Sequence, residues 1–84
     1  MSDKEPRYTL NAFYEGYDPD GKDKQIEKAA KRGSDGAGYG LGERDMSFSF
    51  HTKPAATGAA KRIQAIRGVR VELRDDKADK DIPI

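Results

Sequence analysis

Within Arg44 to Thr52 apolar and polar residues alternate without a break from Asp45 to His51. Met46, Phe48 and Phe50 fall on one side; Asp45, Ser47, Ser49 and His51 fall on the other. A period of two is that of a half-buried strand. The same period, mixed with aromatics, runs from Tyr8 to Tyr14 and stops at Gly16. It puts Tyr8, Leu10, Ala12 and Tyr14 on one face and Thr9, Asn11 and Phe13 on the other. A third alternation sets Val69, Val71 and Leu73 against Arg70, Glu72 and Arg74. Between these runs the period lengthens to that of a helix. Ile26, Ala29 and Ala30 form a thin stripe within Lys22 to Arg32, and Ala56, Ala59, Ala60, Ile63 and Ile66 form a fuller one after Pro54. Asp18-Pro19 suits the start of the first helix and Gly33 its C-terminal cap, with Glu27 and Lys31 paired at i,i+4. Gly68 ends the second helix.

The stretch GAGYGLG, residues 36–42, decides between a phosphate loop and a strand. A dinucleotide-binding loop needs G-x-G-x-x-G directly after a strand and opening a helix. Leu41 and Glu43 stand where the third glycine belongs, and the stretch follows a helix and leads into a strand. No G-x-x-x-x-G-K-[ST] occurs either. The remaining reading is an irregular edge strand, with Ala37, Tyr39 and Leu41 on one face, turning at Gly42 to Asp45 into the strong strand. The order strand, helix, strand, strand, helix, strand predicts a ferredoxin-like α+β fold, a four-stranded antiparallel sheet with two helices on one face. Its expected limits are residues 7–74, between an N-terminal tail 1–6 and a charged, flexible C-terminal tail 75–84.

Composition narrows the classes further. With 84 residues there is room for one modest core. Charged residues make up 37% and no stretch approaches the length of a membrane helix, so the expectation is a cytoplasmic protein with no membrane partner. The absence of cysteine removes disulfides, thiolate metal sites and thiol nucleophiles, and one histidine leaves little for a metal. We therefore expect neither cofactor nor metal. The net charge of +1 conceals segregation: −3 over residues 1–21, +5 over 53–74 and −2 over 75–84. The basic segment suits an acidic partner, or is neutralised by the chain's own ends.

Three kinds of chemistry compete for the open sheet face. Asp45, Ser47, Ser49 and His51 supply every residue type of a hydrolytic triad, but neighbours at i and i+2 on a strand stand about 6.5–7 Å apart. A nucleophile and its base need about 2.6–3.2 Å, so no enzyme is expected. Single-stranded nucleic acid is the alternative reading, through Phe13, Asn11, Ser47, Ser49, His51, Arg70 and Arg74. An RNA recognition motif stacks bases on such a sheet. Here, however, Met46, Phe48 and Phe50 are needed for the core, which leaves Phe13 as the one stacking platform. The favoured expectation is a non-catalytic protein-interaction module or small inhibitor that covers a site on a larger assembly, as phage-encoded inhibitors of host defence do. Its binding surface is the basic patch Lys53, Lys61, Arg62 and Arg67 of the second helix, matched to an acidic protein. Antiparallel pairing through the glycine-rich edge strand would make a homodimer.

Overall fold

The computed structural model describes residues 6–84. Residues 1–5 of the expected N-terminal tail lie outside them. The elements are β1 (Tyr8–Glu15), α1 (Lys22–Ala30), β2 (Gly36–Gly40), β3 (Glu43–Phe50), α2 (Lys53–Gln64), β4 (Arg70–Asp75) and β5 (Lys80–Ile82).

All the pairings are antiparallel, in the order β2-β3-β1-β4-β5. The alternating residues meet in register: Leu10 lies opposite Phe48 and Leu73, and Ala12 opposite Met46 and Val71. One apolar sheet face results, and the stripes of both helices close over it. Leu10, Ile26, Met46, Phe48, Ile63 and Leu73 are fully buried there, each worth about 1.5–3 kcal/mol of transfer free energy. Ala56, Ala59 and Ala60 let α2 lie close to the sheet.

The four-stranded ferredoxin-like sheet is corrected by the fifth strand. Residues 75–84, expected as a flexible tail, turn back and pair β5 with β4. The Asp75 carboxylate closes the turn by accepting the N–H groups of Lys77 and Ala78, each at 3.1 Å. Ile82 then lies opposite Leu73 and packs against the core. Three residues are too few to show a period, so charge alone was visible in this stretch.

Two helix boundaries also differ. At the start of α1 the Asp18 carboxylate accepts the N–H groups of Gly21 and Lys22, which places the first helical residue at Lys22 rather than Pro19. The left-handed residue at the other end is Lys31 (φ 62°), not Gly33. Thr52 caps α2 by accepting from the Ala55 N–H. The strong strand ends at Phe50, so His51 stands in the connection to α2 rather than on the sheet.

β2 is the edge strand expected of the glycine run. A Cβ at Gly38 would lie 2.9 Å from the Asp45 carboxylate, which leans over the bare backbone. The β2–β3 hairpin turns on Leu41 (φ 55°) and Gly42 (φ 79°). Two consecutive positive φ angles suit the right-handed twist of the strands and normally select Asn-Gly or Asp-Gly.

Candidate functional site

The open sheet face carries Thr9, Asn11, Phe13 and Glu15 from β1, Glu43, Asp45, Ser47 and Ser49 from β3, and Arg70, Glu72 and Arg74 from β4. Its basic groups are engaged. The Arg70 guanidinium lies over the Phe13 ring, 4.3 Å from the centroid, and pairs with Glu72 at 2.7 Å and Glu43 at 3.4 Å. Arg74 is fenced by Asp79, by Asp81 at 3.5 Å and by Asp76 at 4.0 Å. The Ser47 hydroxyl donates to the Gly36 carbonyl, and the Asp35 carboxylate accepts the Ser49 N–H at 2.7 Å. His51 is exposed beyond the strand end. Among the described residues no hydrogen bond joins Ser47, Ser49, His51 and Asp45, and no group of three His, Asp or Glu side chains is placed to hold a metal. An open hollow of about 360 Å³ between the end of α2 and β4–β5 is lined by Val71, Leu73, Ile82 and Ile84 beside Gln64, Glu72 and Asp81. Its described lining offers the carboxylates of Glu72 and Asp81 but no histidine, hydroxyl or cation.

The helix layer is different. Lys53, Lys61, Arg62 and Arg67 are all exposed, and α1 with its C-terminal cap, packed beside α2, adds Lys24, Lys28 and Lys31. Among the described residues no carboxylate lies within ion-pair distance of any of these seven. The pairing expected between Glu27 and Lys31 does not form, because the Glu27 carboxylate turns to the Ser34 N–H at 3.1 Å. Arg62 has a second task. Its Nε donates to the Ala29 carbonyl at 2.6 Å, tying α2 to the C-terminal end of α1, where a cation is favoured. The α1 lysines were not in the expected patch, since only packing sets the two helices side by side.

The turns at one end of the molecule present exposed apolar groups on a firm base. Tyr17 and Tyr39 are 59% and 54% exposed, with ring centroids 5.6 Å apart, and Leu41 at the hairpin tip is fully exposed. Arg44 lies 5.0 Å from the Tyr17 centroid and is gripped by Asp23 at 2.8 and 3.1 Å. Asp23 also accepts the Tyr14 hydroxyl proton, and the Tyr14 hydroxyl in turn accepts the Asp18 N–H. Burial, and then the bond to Asp23, raise the Tyr14 pKa above its ordinary value. A signal for this cluster was in the sequence. Asp23 sits at helical spacing from Ile26 and Ala30, and Arg44 continues the side of β3 that carries Met46, so both charges lie on apolar stripes. A charge in such a place needs a partner.

No helix is long and apolar enough to cross a membrane among the described residues. The chain matches no family model, no curated protein and no solved structure, so its own geometry carries the functional reading.

Proposed function

We propose that this chain is a non-catalytic binding module that docks the outer face of its helix layer on an acidic protein surface. The observation that supports this reading is the contrast between the two faces. The helices and their connections, residues 16–35 and 51–69, carry a net +4, and of their exposed bases only Arg32, 3.5 Å from Asp35, has a described carboxylate partner. The strands and their turns, residues 6–15, 36–50 and 70–84, carry −2, with Arg70 and Arg74 already paired. A surface of one sign steers encounter and selects partners of the other. Covering a site on a larger assembly, in the manner of small phage-encoded inhibitors, is the mode of action that suits a chain of this size. Nucleic acid on the sheet face is the weaker reading, since Arg70 covers Phe13 and the arginines have carboxylate partners.

The test is capture from a bacterial lysate, with and without nuclease, using the wild-type chain and the triple variant Lys28→Glu, Lys53→Glu, Lys61→Glu. Arg62 is left unchanged because it holds the helices together. The expected outcome is a stoichiometric protein that survives nuclease and whose affinity falls by roughly tenfold or more in the variant, with circular dichroism unchanged. Undiminished capture by the variant would clear the helix face. Capture that disappears with nuclease would turn attention to nucleic acid.

A further inference from the structure

We infer that the free edge of β2 is a self-pairing site, at which two copies of this chain join antiparallel about a two-fold axis that passes between their Gly38 residues. The inference goes beyond the helix-face reading and rests on different residues.

The two sheet edges are built differently. β5 is three residues long, carries Lys80 and Asp81, and is followed by Pro83; short, charged, proline-flanked edges resist further pairing. β2 runs five residues, Gly-Ala-Gly-Tyr-Gly, without charge, proline or bulge. A second copy always brings its own charge to a symmetric contact, and in a chain that is 37% charged this strand brings none.

The direction of the free groups fixes the register. The carbonyls of Gly36 and Gly38 point toward β3, where they accept from Ser47 and Arg44 side chains at 3.3 and 3.4 Å. Alternation along an antiparallel strand therefore turns the N–H and C=O of Ala37 and Tyr39 outward. Bonding those groups to a second β2 over its full length sets Ala37 opposite Tyr39 of the other copy and Gly38 opposite Gly38. Each Ala37–Tyr39 pair exchanges two hydrogen bonds, so four bonds close the contact. On the helix side each large ring meets a methyl group, and on the open side glycine meets glycine. The sequence of the strand is thus its own complement.

Exposed apolar area gathers at the same edge. Of the four large apolar side chains exposed among the described residues, Tyr17, Tyr39 and Leu41 border β2 and its hairpin, and only Ile84 lies elsewhere. Two copies bring six such side chains. With the strands, these give the contact apolar surface to remove from water. The two-fold axis of an antiparallel pair stands perpendicular to the sheet, so both helix layers come to the same side of one ten-stranded sheet.

The experiment is sedimentation equilibrium on the whole chain, with no acidic ligand present, for wild type, Ala37→Pro and Ala37→Lys. Proline removes only an outward N–H and leaves the β2–β3 ladder intact; lysine keeps the backbone but puts charge on the edge. Wild type is expected at twice the 9.3 kDa of the monomer, and both variants at 9.3 kDa. In wild type the Ala37 and Tyr39 amides should exchange with solvent roughly tenfold more slowly as concentration rises, while those of Gly38 and Gly40 should not change. A wild type that stays monomeric at millimolar concentration overturns the proposal, as does a dimer that persists in either folded variant. If the proline variant does not fold, the lysine variant decides alone. Because no acidic ligand is present, self-pairing and the helix-face reading can each fail without the other.

Discussion

Leu41 is in the wrong place for the stability of a single chain. An L-residue in the left-handed region is disfavoured by about 1–2 kcal/mol, and here the side chain is also wholly in water. Asparagine adopts the same angles more readily. We expect Leu41→Asn to stabilise the monomer by about 1 kcal/mol in urea denaturation at low micromolar concentration, and to weaken self-association at high concentration. A lower urea midpoint would show that Leu41 serves the fold after all. Asp75 presents the opposite case, a charge with a clear structural purpose. Hydrogen bonds from Arg7, at 2.9 and 3.0 Å, lead the effects that hold its carboxyl down at about 2, with the N–H groups of Ala78 and Lys77 assisting. Below its unfolded pKa of about 3.9 the unfolded chain takes up the proton first. The stabilisation from Asp75 is therefore complete above that pH and is lost as pH falls toward about 2. Asp75→Asn should be less stable than wild type at neutral pH and should lack this acid-sensitive step. Equal slopes between pH 4 and pH 2, in thermal melts at several pH values, would remove the assignment.

Each element owes its place to a pattern of a particular kind. Strands β1, β3 and β4 carry the period of two and helix α2 the period of 3.6, and these were readable because each runs long enough to repeat. The end of α1 was not, since Lys31 takes the left-handed turn that Gly33 would have been expected to take. β5 was not, since it depends on the Asp75 turn and on β4 lying beside it. The Arg44–Asp23 pair shows what an element can hide. Its side chains are 15% and 9% exposed, whereas those of the Arg70–Glu72 pair are 55% and 61% exposed. Exposed pairs contribute about 0–1 kcal/mol, but removing one partner of a buried pair destabilises by about 3–5 kcal/mol. Asp23→Asn should therefore lower the urea midpoint well beyond the effect of Glu72→Gln. Similar losses in the two would mean that the cluster beneath Tyr17 and Tyr39 does not anchor them.

At the scale of the whole molecule, folding sorts the charge that the chain carries in blocks. The +5 of residues 53–74 is divided between layers. Arg70 and Arg74 go to the sheet face and meet Glu43, Glu72 and the aspartates of the last turn, while Lys53, Lys61, Arg62 and Arg67 stay on the helix layer beside the lysines of α1. Neutralisation by the chain's own acids thus holds for Arg70 and Arg74 on the sheet face, while the bases of α2 have no carboxylate partner among the described residues. Self-pairing at β2 would join two such basic faces on one side, and a surface that binds twice gains from the second contact without needing new residues.

The alternation of β1, β3 and β4, the stripes of the helices and the exclusion of a phosphate loop were determined by sequence alone, because periodicity and motif spacing are local properties. Tertiary structure alone decided that residues 75–84 add a strand, that Asp23 reaches Arg44 and Tyr14, and that the lysines of α1 and α2 share a face. Each of these joins residues far apart in the chain, and no local period records which distant group will satisfy a charge or cover an edge.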